Sequence, residues 1–165
     1  MSMIEKSCEL NVPIRRAYDQ WTQFEEFPRF MEGVESVVQV DDTHLHWKAK
    51  IAGKDVEWDA EILEQVPDSV ISWRATSGAR NDGTVRFWQL SPTSCRISLA
   101  MTVEPSTAGQ KVGDALGLVS ARVKGDLERF KAFVESQPAE TGAWRGEVHE
   151  GRVTKHDVTK HDSAS

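Results

Sequence analysis

Apolar and polar positions alternate at the start of the chain and then change to a helical period. Residues 4 to 12 predict a first strand, whose apolar face comprises Ile4, Cys8, Leu10 and Val12. Pro13 suits the first turn of a helix that follows. The buried face of that helix has the i, i+3, i+4, i+7 spacing and comprises Ile14, Ala17, Tyr18 and Trp21. Pro28 interrupts this pattern, so we expect a second short helix over residues 24 to 31.

Residues 44 to 66 have the pattern of a β-hairpin that turns at Ala52 and Gly53. With Ile51 opposite Lys54, the outward pairs join a lysine or a histidine to a carboxylate. The inward pairs are then Ala49 with Val56, Trp47 with Trp58, and Leu45 with Ala60. A slip of one residue would turn the charges into the core, so this register is strongly favoured.

The next hairpin is expected to turn at residues 67 and 68. This turn would place Val66 opposite Ser69, and Ile62 opposite Trp73, without a bulge. The inward and outward faces of the first hairpin then continue into the third strand. Agreement between two independent turns supports a meander of antiparallel strands.

Residues 78 to 83 are expected to form a loop before the last hairpin, which turns at residues 91 to 93. In the favoured register the inward pairs are Phe87 with Ile97 and Val85 with Leu99. The opposite assignment, with Arg86 and Trp88 inside, remains open because both faces of this segment carry large side chains.

A long helix is predicted over residues 108 to 135. Its narrow apolar stripe comprises Val112, Leu116, Val119, Val123, Leu127, Phe130 and Val134. Glycines beside the stripe indicate either close packing or space left for a ligand. We expect a domain over residues 1 to 136, followed by a polar, disordered tail over residues 137 to 165 with Trp144 as its one anchor.

Charge and hydropathy narrow the possible functions. A net charge of -6 argues against nucleic acid as a partner, because binding phosphates requires clustered lysine and arginine. No apolar run approaches the roughly 20 residues of a membrane span. The first residues lack the basic and apolar regions of a signal peptide, so we expect a cytoplasmic protein. Cys8 and Cys95 have no metal-ligand spacing, and we predict no metal and no other cofactor.

The chain has six tryptophans and a single tyrosine. In the registers above, Trp47, Trp58 and Trp73 share one face of three adjacent strands. Compact cores favour Leu, Ile and Val, whereas Trp occurs where its ring can stack on a flat molecule. The three rings therefore predict an aromatic floor to a cavity for a hydrophobic molecule, with a plain core as the alternative.

Four polar side chains have the inward parity: Lys6, Glu64, Ser77 and Gln89. Each lies near a strand end, where a side chain reaches water, so we prefer a solvated rim to a catalytic role. If the protein is an enzyme, the candidate catalytic residues are Glu64, Lys6 and Gln89. His44 and His46 fall on the outer face opposite carboxylates, which favours solvated pairs over a metal site.

Five segments carry a resemblance to one superfamily: NVPIRRAYDQW, FEEFPRFMEGVESV, IAGKDVEWDAEI, VISWRATSG and VKGDLERFKAFVE. Over about residues 3 to 136 the chain resembles START-like, Bet v 1-like (SRPBCC) proteins. The aromatic-x-x-aromatic-Pro motif of the second segment is typical of the polyketide cyclase/dehydrase-like or coenzyme-Q-binding-like branch. The resemblance implies an α+β helix-grip fold. In this fold a curved antiparallel sheet of six to seven strands surrounds the long C-terminal helix, with two short helices after the first strand.

The helix-grip fold leaves a cavity between its sheet and its last helix, with the open end near the second short helix. Phe27, Phe30 and Met31 are therefore candidates for the rim. The other expected ligand-binding residues are Trp47, Trp58, Trp73, Phe87, Leu99, Met101, Leu116, Val119 and Val123.

Three functions are compatible with this fold. We favour a non-enzymatic carrier or sensor that binds a quinone, polyketide, lipid or sterol-like compound. A cyclase or dehydratase acting on a polyketide-like substrate is the alternative, weakened by the lack of a convincing inward acid–base pair. A protein-interaction or stress adaptor that uses the second helix and the tail is the third. The sequence identifies no protein partner.

Overall fold

The computed structural model describes residues 2–51, 53–78, 81–103 and 112–156. Within these ranges the helices are α1 (Ile14–Trp21), a 3₁₀ helix (Phe24–Arg29) and α2 (Val112–Ser136). The strands are β1 (Ser2–Leu10), β2 (Val34–Asp41), β3 (His44–Ile51), β4 (Lys54–Val66), β5 (Val70–Gly78), β6 (Asn81–Ser91), β7 (Ser94–Val103), β8 (Glu147–His149) and β9 (Arg152–Lys155).

Seven of the strands form one antiparallel sheet in the order β1-β7-β6-β5-β4-β3-β2. The long helix α2 packs against this sheet next to β1. The buried side chains of Leu127, Phe130 and Val134 on α2 join one core with those of α1 and of the inner face of the sheet. From Val123 to Val134 the apolar stripe of α2 therefore faces the sheet, and the predicted α+β helix-grip fold is confirmed.

Local sequence explains the two short helices. The carbonyl of Pro13 accepts hydrogen bonds from the N–H groups of Arg16 and Ala17 and so begins α1. Thr22 ends α1, and its N–H donates to the Tyr18 carbonyl. Pro28 cannot donate a backbone hydrogen bond, and the chain around it forms a 3₁₀ helix instead of a longer α-helix. In this 3₁₀ segment the side chains of Phe24, Phe27 and Phe30 are turned towards the core.

The β3–β4 hairpin has the predicted register, with Trp47 opposite Trp58 and Leu45 opposite Ala60. On the outer face, His46 Nδ1 lies 2.6 Å from the Asp59 carboxylate. Exposed pairs of this kind contribute about 0.2–1 kcal/mol each, so they specify the register more than they stabilise the sheet.

The turn between β4 and β5 differs from the prediction. Val66 lies opposite Val70, not opposite Ser69. The loop therefore has three residues, and Asp68 in its middle adopts a left-handed conformation with φ 60°. Aspartate tolerates this conformation better than most residues, which the two-residue turn did not take into account.

Two bulges interrupt the pairing of β4 with β5, where no bulge was predicted. One falls between Asp59 and Ala60, and the other between Ile62 and Glu64. Ile62 still faces Trp73 as predicted, because the second bulge lies beyond that pair. After the bulge the alternation of faces is reversed.

The β6–β7 hairpin has the favoured register, with Phe87 opposite Ile97 and Val85 opposite Leu99. Trp88 is 46% exposed on the outer face, so the opposite assignment is wrong. The loop predicted at residues 78 to 83 is shorter, because β6 already begins at Asn81. Residues 79 and 80 lie outside the described residues.

Residues 137–156 form a C-terminal arm that packs on the domain, so the predicted disorder is wrong for this part of the tail. Gln20 exchanges two hydrogen bonds with Thr141, at 2.9 and 3.0 Å. The backbone N–H of Trp144 donates to the Thr22 hydroxyl at 3.1 Å. The Trp144 side chain packs against the main core, as expected for an anchor. The remainder, residues 157–165, lies outside the described residues.

The arm ends in the β8–β9 hairpin, which pairs with β4. Val148 lies opposite Gln65, and His149 lies opposite Glu64. The pairing of β4 with β3 stops at Glu61, so β8 satisfies the backbone of β4 beyond that point. Among the described helices, none has the length and apolar character needed to cross a membrane.

Candidate ligand cavity

A cavity of about 210 Å³ lies between the inner face of the sheet, the 3₁₀ helix and α2. Of the expected ligand-binding residues, those in its wall are Phe27, Met31, Trp47, Trp58, Trp73, Leu99, Met101 and Val123. Further apolar residues of the wall are Trp21, Phe24, Val34, Leu45, Ala49, Ile62, Ile71 and Leu127. The wall is therefore mostly apolar and rich in aromatic rings.

Trp47 and Trp58 form a stacked pair in this wall. Their ring centroids are 5.4 Å apart and their planes differ by 11°. Phe27 extends the aromatic surface from the 3₁₀ helix, with its ring centroid 5.6 Å from that of Trp47. Both indole nitrogens are buried, and neither has a hydrogen-bond partner among the described residues. Buried donors without a partner are uncommon in folded proteins, so this pair is an unusual feature of the wall.

Trp73 reaches the wall because Gly83 leaves space beneath it. The two residues lie opposite each other on β5 and β6. A Cβ atom on Gly83 would lie 2.5 Å from Cζ2 of Trp73 and 3.0 Å from the Ala100 carbonyl oxygen. The indole can therefore lie flat against β6 only because position 83 has no side chain.

Charged side chains lie at one end of the cavity, where Glu32, Arg122 and Asp126 belong to the wall. Asp126 accepts the Glu32 N–H at 3.0 Å and forms an ion pair with Arg129. Burial raises the pKa of the Asp126 carboxyl, although Arg129 acts in the opposite direction. The Arg122 guanidinium donates to the Lys50 carbonyl at 3.1 Å. We refer to Glu32, Arg122 and Asp126 as the cavity mouth.

Two residues expected in the cavity are core residues instead. Phe30 is buried between Trp21 and Phe130, with ring centroids at 6.5 and 5.0 Å. Phe87 packs edge-on against Tyr18 at 5.2 Å, under α1. Phe87 has the inward parity and Phe30 lies in the segment expected at the rim, but α1 and α2 cover those positions. The side chains of Leu116 and Val119 lie outside the described part of α2.

The candidate catalytic residues are absent from the cavity wall as the structure describes it. Glu64 lies beyond the bulge and faces His149, whose Nδ1 is 3.0 Å from the Glu64 carboxylate. Gln89 is exposed, and Lys6 is half-buried on β1, opposite Leu99. Ser77, also expected inside, donates to Asp59 on the outer face at 2.6 Å. Among the described residues, no group of three or more potential ligands could hold a metal ion.

Sequence reasoning missed a buried polar cluster beneath the C-terminal arm. The bulge in β4 turns Gln65 inward, where it is fully buried and interacts with the Tyr18 hydroxyl. Burial raises the pKa of the Tyr18 hydroxyl well above its ordinary range. Arg145 pairs with Asp19 and, at 2.9 Å, with Asp68. Nothing in the alternation of β4 signals the bulge, and the arm is distant in sequence.

The chain matches the family model "Polyketide cyclase / dehydrase and lipid transport" over residues 10–132. An uncharacterized 17.2 kDa protein of Streptomyces lincolnensis is 48% identical over 149 residues, which cover 90% of this chain and 99% of that protein.

Two solved structures share the fold at low sequence identity. A START superfamily protein from Mycobacterium smegmatis has a TM-score of 0.66 and 14% identity, covering 81% of this chain and 97% of that one. The Zhui aromatase/cyclase from Streptomyces sp. R1128 has a TM-score of 0.68 and 14% identity, covering 81% of this chain and 93% of that one. The match of the family model over residues 10–132 places the chain in the polyketide cyclase/dehydrase and lipid transport family, and the two structures share its fold.

Proposed function

We propose that this protein binds a hydrophobic small molecule in its aromatic cavity and acts as a carrier or sensor. Candidate ligands are a quinone, a polyketide, a lipid or a sterol-like compound. The observation that carries the proposal is the stacked Trp47–Trp58 pair in an otherwise apolar wall. Burying apolar surface yields about 25 cal/mol per Å², so a flat ligand against these rings would be held without many polar contacts.

The polar groups near the cavity favour binding over catalysis. A general acid or base must reach the bound substrate. Glu64, Lys6 and Gln89 are absent from the described cavity wall. The family description includes lipid transport, which is consistent with a carrier.

A cyclase or dehydratase is the second candidate, and one observation favours it. Asp126 is a partly buried carboxyl in the cavity wall, and burial raises its pKa, which is the direction that a general acid needs. The similarity to an aromatase/cyclase agrees with this role. If it is correct, Asp126→Asn abolishes turnover of a poly-β-keto substrate and preserves its binding. Equal turnover by the Asp126→Asn variant and the unchanged protein would exclude Asp126 as the general acid.

The carrier proposal predicts that Trp47→Leu weakens binding of apolar ligands. Leucine preserves apolar character but removes the flat surface, and we expect a loss of affinity of about tenfold, equivalent to about 1.4 kcal/mol. Native mass spectrometry would identify co-purified ligands, and calorimetry would give their affinities. The control is Trp88→Leu, which removes an exposed indole from the outer face. Equal affinity in the Trp47 variant and the unchanged protein would contradict the proposal.

A further inference from the structure

The cavity mouth contains one cation that forms no ion pair with any described side chain. Arg122 lies in the cavity wall, and its guanidinium donates a hydrogen bond to the backbone carbonyl of Lys50. A guanidinium has five N–H donors, so this bond leaves most of them unused. Arginine is also always charged in proteins, so the Arg122 guanidinium is a permanent cation in a mostly apolar wall.

The backbone around Gly33 holds the Arg122 guanidinium in place. Gly33 follows the 3₁₀ helix with φ 86°, a conformation that favours glycine. Its missing side chain leaves the space in which the Nη1 atom of Arg122 lies. The Gly33 carbonyl also accepts the Lys50 N–H at 2.6 Å, which joins this turn to the strand that binds the guanidinium. A cation with a fixed position loses little entropy when it receives a partner.

The two carboxylates of the mouth have their own cation. Arg129 pairs with Asp126 and lies 3.6 Å from the Glu32 carboxylate. Asp126 also accepts the Glu32 backbone N–H. Arg129 therefore offsets part of this negative charge, and its own hydrogen bond to the Phe30 carbonyl, at 2.9 Å, holds it to the 3₁₀ helix. The charge of Arg122 also acts to lower the pKa of the Asp126 carboxyl, but its guanidinium pairs with neither carboxylate and keeps N–H donors for a ligand.

We propose that the ligand is an amphiphile with a carboxylate at one end of an apolar body. The carboxylate lies at the mouth and accepts hydrogen bonds from Arg122, while the apolar body extends along Trp47 and Trp58. Arginine suits this role because its planar fork matches the two oxygens of a carboxylate. The inference rests on the proposed binding function and adds the chemical class of the ligand.

Three probes with the same ten-carbon alkyl chain test this proposal: decanoate, decan-1-ol and decylamine. Each is titrated calorimetrically, the two ions below their micelle concentrations and the alcohol below its solubility limit. The unchanged protein should bind decanoate most tightly and decylamine least tightly. Arg122→Met should weaken decanoate binding by about tenfold, because a hydrogen bond to a charged group is lost. The same variant should bind decan-1-ol within about twofold of the unchanged protein, which also shows that it is folded.

Two further variants separate the role of Arg122 from a general effect of charge. Lys124→Met removes one positive charge from the exposed side of the same helix and should leave decanoate binding unchanged. Arg122→Lys retains the charge without the planar fork and should recover part of the lost affinity.

The outcomes distinguish this inference from the proposed function. Equal decanoate affinity in the unchanged protein and in Arg122→Met would overturn the role of Arg122, and the binding function would stand. The same conclusion follows if Arg122→Met weakens decanoate and decan-1-ol equally. If the unchanged protein binds none of the three probes, this inference fails, and the binding function is then judged by native mass spectrometry and the Trp47→Leu variant alone. Trp47→Leu should weaken decanoate and decan-1-ol alike.

Discussion

At the scale of single residues, the shape of the cavity depends on two glycines that allow large side chains to lie close to the backbone. Gly83 makes room for the Trp73 indole, and Gly33 makes room for the Arg122 guanidinium. In both cases the neighbouring side chain belongs to the cavity wall. A methyl group at either position would therefore act on the cavity indirectly, by displacing that neighbour.

Gly83→Ala should narrow the cavity. The new Cβ would lie 2.5 Å from the Trp73 ring, so the indole must shift towards the cavity. We expect a broad tricyclic probe such as anthraquinone to lose about tenfold in affinity, because displacing Trp73 removes space that a wide ring system needs. The affinity of narrow decan-1-ol should change less than about threefold. Calorimetric titration of both probes measures the difference.

Thr84→Ala is the matched control for this prediction. Thr84 is adjacent on the same strand, and its side chain points to the opposite face of the sheet. Both probes should bind this variant as they bind the unchanged protein. If Gly83→Ala binds anthraquinone as tightly as the unchanged protein does, Trp73 does not limit the width of the cavity.

At the scale of elements, the C-terminal arm joins parts of the fold that are distant in sequence. Arg145 connects α1, through Asp19, to the loop between β4 and β5, through Asp68. The guanidinium also lies over the Tyr18 ring, 5.4 Å from its centroid. The arm therefore covers the buried polar cluster that α1 and β4 leave on this side of the core.

Arg145→Met should destabilise the protein by about 3 kcal/mol, because it leaves the Asp19 carboxylate buried without its principal partner. The Asp19 side chain is only 3% exposed. Burial already raises the pKa of Asp19, and without Arg145 it should rise further. A neutral Asp19 is easier to bury, so the deficit should shrink as the pH falls through that pKa. Urea denaturation of both proteins at several pH values measures the loss in free energy of unfolding.

Arg74→Met is the control for the arm. Arg74 pairs with Glu61 on the outer face, where its side chain is 58% exposed, and its loss should cost less than about 1 kcal/mol. Replacing Asp19 by asparagine together with Arg145→Met should restore part of the stability. Equal losses of stability for Arg74→Met and Arg145→Met would show that the ion pairs of Arg145 contribute no more than a surface ion pair.

At the scale of the whole molecule, the cavity makes stability depend on the ligand. Empty apolar space gives up contacts that a filled core would make. A ligand that binds only the folded state stabilises it by mass action.

Removing any co-purified ligand should therefore lower the Tm, and adding a ligand of the proposed class should raise it. At 100 times its Kd such a ligand adds about 2.7 kcal/mol to the free energy of unfolding. Thermal scans with and without decanoate measure the shift. Arg122→Met should show a smaller shift at the same decanoate concentration, and an equal shift in both proteins would contradict binding through Arg122.

Local pattern was sufficient for most of the fold and for half of the site. The β3–β4 register followed from the turn at Ala52 and Gly53 and from the alternation on the two strands, since a slip of one residue would turn the charges into the core. The aromatic floor followed from the same alternation. These features depend on residues close together in the chain, whose spacing is visible in the sequence.

Only the tertiary structure decided which residues reach the cavity. Phe87 has the inward parity of its strand and Phe30 lies in the segment expected at the rim, but the helices packed over them make both core residues. The bulge in β4 turns Gln65 inward in place of Glu64. This bulge and the docking of the arm on β4 both depend on pairings between distant segments. The sequence by itself therefore determined the strands of the meander, the registers of the β3–β4 and β6–β7 hairpins, and an aromatic face. The contacts between distant elements determined the volume of the cavity and placed Arg122 at its mouth.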